Sequence, residues 1–338
     1  MQLPLHRPPT LSLVVPVHNE TGSIDPFLDR TIPVLKGLAK NFDYEIVFVD
    51  DGSTDATLAE LLAARKADPR IKVVALSRNF GKDTALAAGL AHATGKGVIP
   101  MDVDLQDPPE IIPEMYGHWQ AGFDVVNARR ADRSSDSWLK RTTSKAFYRI
   151  FNQMADRPIL EDVGDYRLLD RRVIDVINQF PERARFMKGL FSWVGFSHTT
   201  VEYQREERFA GTTKWKYWKL WNFAVDGITS FTTVPLRVWT YVGALIAALA
   251  FVFAIYLIIR TLVLGADTPG YASLMVAILG LGGMNLLSLG VIGEYLGRTY
   301  TEVKGRPLYI VDKTFGFEAK EKAGGVKARG RRAPKPKA

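Results

Sequence analysis

The chain has 338 residues, enough for one large domain or two smaller ones, and 47% of them are hydrophobic, enough to fill a sizeable core. It has no cysteine, which excludes disulfides and thiolate chemistry. The formal charge of +8 raises nucleic acid as a partner, but much of the excess lies in residues 320–338. That stretch, rich in Lys, Arg, Gly, Ala and Pro, reads as a disordered basic tail at a cytoplasmic membrane face, and no nucleic-acid-binding motif accompanies it.

Residues 1–10 form an N-terminal segment without an apolar stretch, so no cleaved signal peptide is expected. Leu11 to Val17 is an apolar, β-branched run that predicts a buried first strand, ended by His18-Asn19-Glu20. A helix is expected to start near Ser23 or Asp25, with Pro26 in its first turn. Tyr44 to Val49 predicts a second strand running into Asp50-Asp51-Gly52-Ser53-Thr54-Asp55, a turn with a strong N-cap signal for a helix through Leu62. Lys72 to Leu76 predicts a third strand, followed by the loop Ser77 to Lys82 and an Ala-rich helix from Asp83 to Ala93. The fourth strand, Gly97 to Met101, delivers the acidic stretch Asp102-Val103-Asp104-Leu105-Gln106-Asp107-Pro108-Pro109-Glu110.

Strands alternating with helices at this spacing predict right-handed βαβ units and a largely parallel sheet. Ligands of such sheets bind beyond the carboxyl ends of the strands, where all four polar loops fall. A dinucleotide fold would place GxGxxG after the first strand, and Pro16-Val17-His18-Asn19-Glu20 contains no glycine. Asp102, Asp104 and Gln106 recur at period two, so on an extended backbone their oxygens converge. Such donors suit Mg²⁺ or Mn²⁺ shared with a diphosphate, although the triplet alone also fits a solvated acidic turn ahead of a helix.

Farther along, Asp124 to Val126 predicts a strand, with Arg129 just past its apolar end. Ser137 to Met154, within the region 134–157, puts Leu139, Phe147, Ile150 and Phe151 on one helical face with Lys and Arg interleaved. That pattern suits a helix in the membrane interface, and equally one packed on the sheet. A second interface helix is expected within 215–235, where Trp215 and Trp218 sit beside lysines just ahead of an apolar span. Val238 to Ile259 and Tyr271 to Ile292 are uncharged and each long enough to cross a bilayer. Joined by the Gly- and Pro-containing turn Gly265 to Gly270, they predict a transmembrane hairpin, bounded at 236–297. Basic residues flank its base and only Arg260, able to snorkel, lies near its tip, so the positive-inside bias puts both termini in the cytoplasm. Residues 298–319 are then a C-terminal cytoplasmic segment.

Val14-Val15-Pro16-Val17-His18-Asn19-Glu20, Asp50 to Asp55, Asp102 to Glu110 and Gly164-Asp165-Tyr166-Arg167-Leu168-Leu169-Asp170-Arg171-Arg172 resemble, in order, the motifs of family 2 glycosyltransferases of GT-A fold. The polyisoprenyl-phosphate branch is most similar: undecaprenyl-phosphate glucosyltransferases of the GtrB type, ArnC-type transferases and dolichol-phosphate mannose synthases. The likeness runs from about Leu11 to about Pro307, hairpin included. It implies an α/β fold with a GT-A, Rossmann-like, mostly parallel sheet flanked by helices, forming a cytoplasmic catalytic domain over residues 11–214.

By that resemblance Pro16 and Glu20 border the nucleotide, Asp50 and Asp51 contact base and ribose, and Asp102, Asp104 and Gln106 hold the metal. Asp165 falls at the catalytic-base position, for acceptor positioning or proton removal. His18 replaces the usual tyrosine and is left out of the chemistry. Arg129 and Arg208, then Arg141 and Lys214, are the candidates for the lipid phosphate or diphosphate, since a guanidinium donates two hydrogen bonds to a phosphate at once. The resemblance also implies an inverting hexosyl transfer from a nucleotide sugar, UDP-glucose preferred, to a polyprenyl phosphate, undecaprenyl phosphate preferred, at the bacterial inner membrane. A homo-oligomer, by resemblance a tetramer, together with a flippase and a downstream lumenal or periplasmic glycosyltransferase, completes the implied partners. Two alternatives remain: a processive polysaccharide synthase, whose QxxRW motif Gln179-Phe180-Pro181-Glu182-Arg183 does not match, and a catalytically silent membrane scaffold.

Overall fold

The computed structural model describes residues 10–38, 43–131, 152–153, 160, 163–183, 187–204, 232–265 and 270–317. The expected helices within 134–157 and 215–235, the tail 320–338, and Arg141, Arg208 and Lys214 therefore lie outside the described residues, apart from a few positions at the helices' margins.

Four strand–helix pairs come first: β1 (Leu11–Val17) and α1 (Ile24–Leu38), β2 (Tyr44–Asp50) and α2 (Thr57–Ala67), β3 (Ile71–Leu76) and α3 (Lys82–His92), then β4 (Gly97–Pro100) and α4 (Ile112–Gln120), the last entered through a 3-10 turn at Pro109–Ile111. There follow β5 (Val125–Arg130), β6 (Val163–Asp170), α5 (Arg171–Asn178), α6 (Met187–Trp193) and β7 (His198–Tyr203). The two long helices α7 (Val234–Leu264) and α8 (Tyr271–Val303) precede a last strand, β8 (Val311–Phe315).

All eight strands form one sheet in the order β7-β5-β6-β4-β1-β2-β3-β8. Its centre, β4-β1-β2-β3, is parallel, whereas β6 runs antiparallel to β4 and β5, and β8 antiparallel to β3. The period of two in the apolar runs sorts side chains to two helical layers. Leu11, Leu13, Val15 and Val17 of β1 pack with Tyr44, Ile46 and Phe48 against α1, α2 and α4. Val14, Val47 and Val49 face the other way, onto α3, α5 and α6. Burial on both faces is why these strands are mostly apolar, with Ser12, Glu45 and Lys72 confined to their amino ends.

Two boundaries differ from expectation. The sheet of the catalytic domain does not end at residue 214, because Val311–Phe315, read as part of a separate C-terminal segment, completes its edge beside β3. The hairpin is thus an insertion between β7 and β8 of one sheet. Its helices also outrun the 236–297 bounds, and their large apolar residues, Phe251, Leu262, Val276 and Leu286 among them, stand exposed on the chain by itself. Helices buried in a soluble core would be covered; these are two apolar faces that call for lipid.

Candidate active site

The strand order reverses at β1, with β4 on one side and β2 on the other, and a crevice opens there beyond the carboxyl ends. A cleft of about 320 Å³ fills it, lined by Pro16 at the end of β1, His18 and Glu20 after it, Asp51 after β2, Lys82 at the start of α3, and Asp102 and Asp104 after β4, among others. Five of the residues assigned by sequence are therefore together: Pro16, Glu20, Asp51, Asp102 and Asp104. Asp50 and Gln106 do not line the cleft.

Its wall is built by loops that hold one another. Asn19, at a φ of 54°, accepts from the Thr54 main-chain N–H through Oδ1 (2.8 Å), and its own N–H donates to Ser53 Oγ (3.0 Å). The His18 Nδ1 lies 2.9 Å from the Asp51 main-chain O, so this histidine ties two loops together. Asp50 Oδ1 accepts from the Ser53 N–H (3.1 Å), and Asp51 accepts from the Phe80 and Gly81 N–H groups at 2.7 and 2.9 Å. Both aspartates thus spend part of their accepting capacity on neighbouring backbone, the second by pinning the β3–α3 loop. Gly52 permits that proximity: its φ is 65°, and a Cβ there would meet the Arg78 carbonyl carbon at 2.4 Å.

The acidic stretch departs from the extended backbone expected of it. β4 stops at Pro100, residues 103–105 turn, and Leu105 has a φ of 55°, uncommon for a side-chain-bearing residue. Val103 and Leu105 are buried in the core beneath, so Asp102, Asp104 and Gln106 still face outward by alternation. The Gln106 N–H donates to Asp104 Oδ1 (3.2 Å), and Gln106 is not part of the cleft lining. Farther on, Tyr203 donates to Asp107 Oδ1 at 2.5 Å and Tyr166 donates to the Pro108 main-chain O at 2.9 Å. These buried tyrosines fasten the acidic loop to β7 and β6. Burial and the nearby Asp107 carboxylate raise both phenols above their ordinary value, so both remain donors.

Sequence reasoning missed the residue at the centre. Lys82 Nζ stands 2.7 Å from Asp102 and 3.0 Å from Asp165 Oδ2, joining the acidic loop to β6. Desolvation works against its charge, but the two carboxylates outweigh it and raise the ammonium's pKa, so it is a fixed cation. Its one signal in the sequence was its place on the shared edge, at the end of the Ser77 to Lys82 loop. Arg129 lies within β5, not past its end, and pairs with the exposed Glu202 of β7, away from the cleft lining.

Among the described residues no group of three or more His, Asp or Glu side chains could hold a cation alone. Asp102 and Asp104 are a different donor set. Two carboxylates at a cleft suit Mg²⁺ or Mn²⁺, which takes its remaining ligands from substrate phosphates and water. They fit an ion shared with a diphosphate, not a closed protein cage.

Comparison with known proteins follows the same division. Residues 12–177 match the profile of Glycosyl transferase family 2, and residues 234–299 match that of the GtrB C-terminal hairpin. A prophage bactoprenol glucosyl transferase homolog of Escherichia coli is 50% identical over 90% of this chain and 98% of its own length. An uncharacterized glycosyltransferase of Synechocystis sp. is 53% identical over 91% of this chain and 96% of its own. Among solved structures, a mannosyltransferase of Pyrobaculum calidifontis in complex with GDP-Man and Mn²⁺ overlays with a TM-score of 0.42 at 17% identity, over 88% of this chain and 87% of that one.

Proposed function

Since the chain belongs to glycosyl transferase family 2, in the branch carrying a GtrB C-terminal hairpin, we propose that it moves a glucosyl group from UDP-glucose to undecaprenyl phosphate. The reaction takes place at the cytoplasmic face of the bacterial inner membrane and inverts the anomeric centre. The observation that carries this reading is the insertion of an exposed apolar hairpin between two strands of the sheet that bears the cleft. Because β7 precedes the hairpin and β8 follows it, both its ends belong on the catalytic side of the bilayer. An acceptor whose tail never leaves lipid needs such an enzyme; a soluble acceptor does not.

Asp102 and Asp104 hold the cation beside the donor's diphosphate, and Pro16, Glu20, Asp50 and Asp51 border the nucleotide. The cation, when bound, supplies Lewis-acid stabilisation of the departing diphosphate, worth roughly several kcal/mol. The attacking group needs little activation, since the second pKa of a phosphate monoester is about 6 and its oxygen is largely ionised at neutral pH. Asp165 therefore serves as a positioning group. Its Oδ2 is already engaged by the Lys82 ammonium, which fixes the carboxylate in place. Arg129 meets the lipid phosphate together with Arg208, Arg141 and Lys214; its present partner Glu202 is half exposed, and such a surface pair exchanges at little cost.

The test is transfer itself. Purified protein is incubated with a panel of radiolabelled nucleotide sugars, undecaprenyl phosphate and Mn²⁺ or Mg²⁺. Label should enter the organic phase from UDP-glucose, and chelation of the cation should stop it. Label independent of added polyprenyl phosphate would sink the acceptor assignment. Absence of cation-dependent UDP binding would make the chain a silent scaffold.

A further inference from the structure

Helix α8 has 33 residues, about 50 Å at 1.5 Å per residue. A hydrocarbon core of about 30 Å takes only about 20 of them. Tyr271 to Gly293 carries no charge, and then Glu294, Arg298 and Glu302 follow at one-turn spacing, with Arg298 donating to Glu294 at 2.8 Å. The charged end, about 15 Å of helix, stands clear of the hydrocarbon as a stalk.

At the top of that stalk the catalytic domain takes hold through Arg183, in the loop after α5. The Arg183 main-chain N–H donates to Glu302 Oε1 (2.8 Å), Nη1 donates to the Glu302 main-chain O (3.0 Å), and Nε donates to the Arg306 main-chain O. The last carbonyls of a helix have no partner within it and carry the negative end of its dipole. A forked cation with one branch on such a carbonyl, at Glu302, and the other on the Arg306 carbonyl just past the helix is a strong, directional joint. Five residues beyond Arg306, β8 enters the sheet beside β3. The exit of the hairpin is thus held at two points within residues 302–315.

We propose that Arg183 is a positioning residue for the acceptor: its clasp on α8 fixes the height and tilt of the cleft above the bilayer, so that a phosphate anchored in the membrane meets the cleft. The kinetic part of this proposal rests on the function given above; the geometric part does not.

In nanodiscs, Arg183→Ala, which removes both side-chain hydrogen bonds and keeps the main-chain one, should raise KM for undecaprenyl phosphate about tenfold. UDP affinity and turnover of a short, water-soluble prenyl phosphate such as citronellyl phosphate should stay unchanged. Arg183→Lys, which keeps the charge but cannot fork, should fall between. For a readout independent of turnover, Lys66→Cys on the exposed side of α2 provides a unique labelling site in a chain without cysteine. Single-molecule energy transfer from that label to headgroup fluorophores should give a narrow distribution that broadens in Arg183→Ala. An unchanged distribution, or equal losses on the membrane-bound and soluble acceptors, overturns the proposal. If the unsubstituted protein transfers to neither acceptor, the functional reading falls, while the energy-transfer distribution still decides the clasp.

Discussion

The two ends of the central sheet each hold a lysine against carboxylate, and they are built for opposite purposes. At the amino edge Glu45 is 2% exposed and accepts from Ser12 Oγ, the Thr94 N–H and hydroxyl, and Lys72 Nζ at 2.5 to 2.9 Å. Ser12 Oγ in turn accepts from the Gly95 N–H at 2.7 Å, so the starts of β1, β2 and β3 and the approach to β4 share one closed network. Burial penalises the Glu45 charge, but hydrogen bonds from Lys72, Ser12 and Thr94 outweigh it and hold the carboxyl below its usual value of 4.5. At the carboxyl edge Lys82, 47% exposed, stands between Asp102 and Asp165, and Lys82 and Asp102 still line a cleft. A satisfied buried network stiffens the fold. An open one keeps charge available for a ligand.

The largest expected effect breaks the open end. Asp104→Asn should lower transfer by about three orders of magnitude, the scale of several kcal/mol of lost charge stabilisation, with the thermal unfolding midpoint unmoved. Unaltered turnover would remove Asp104 from the donor site. Next comes the closed end: Glu45→Ala leaves Lys72, Ser12 and the Thr94 N–H without their acceptor and should cost about 2–3 kcal/mol in urea unfolding, while kcat of the folded protein stays level. A kinetic defect without a stability loss would erase the contrast. The same network sets an acid limb. A carboxyl lowered on folding contributes stability above its unfolded value, and that contribution is lost as pH falls through the folded one. Glu45→Gln should therefore unfold with a weaker pH dependence than the unsubstituted protein below about pH 5.

Lys82→Met sharpens the contrast from the other side. Removing one positive charge beside Asp102 should tighten Mn²⁺ binding about tenfold by titration calorimetry, the order expected of a unit charge at this range in a partly solvated site. Transfer should nevertheless fall, because Asp165 loses its anchor. The smallest effect is expected of Tyr203→Phe, which deletes one hydrogen bond to Asp107, worth about 1.5 kcal/mol. It should appear as a modest fall in both stability and turnover; a stability change without any change in turnover would limit this tyrosine to packing.

The parallel half of the sheet was legible because β1 to β4 are buried on both faces, and burial writes itself as mostly apolar, β-branched runs closed by polar turns, with polar residues such as Ser12, Glu45 and Lys72 near the strand starts. The later strands carry no such mark. β6 includes Asp165 and Arg167, β7 alternates polar residues at an outer edge, and β8 reads Val-Asp-Lys-Thr-Phe beyond a membrane hairpin. The acidic pair after β4 was legible from its spacing, yet its conformation was not, since nothing in Val103-Asp104-Leu105 announces a left-handed residue. Asp50 and Asp51 illustrate a further limit: adjacency in sequence does not tell that one caps its own turn and the other grips a loop thirty residues on. Lys82 was invisible as a bridge for the same reason, because its partners lie 20 and 83 positions away.

The return of the chain from membrane to sheet carries a consequence for biogenesis. Until β8 is synthesised, β3 presents a naked edge of unpaired amides and carbonyls, the kind that recruits foreign strands. The strand that covers it is translated only after both apolar helices, so the sheet cannot be finished ahead of their synthesis. Completion of the sheet is in this way tied to synthesis of the whole hairpin, and a polypeptide broken off within it keeps a sticky flank open to quality control.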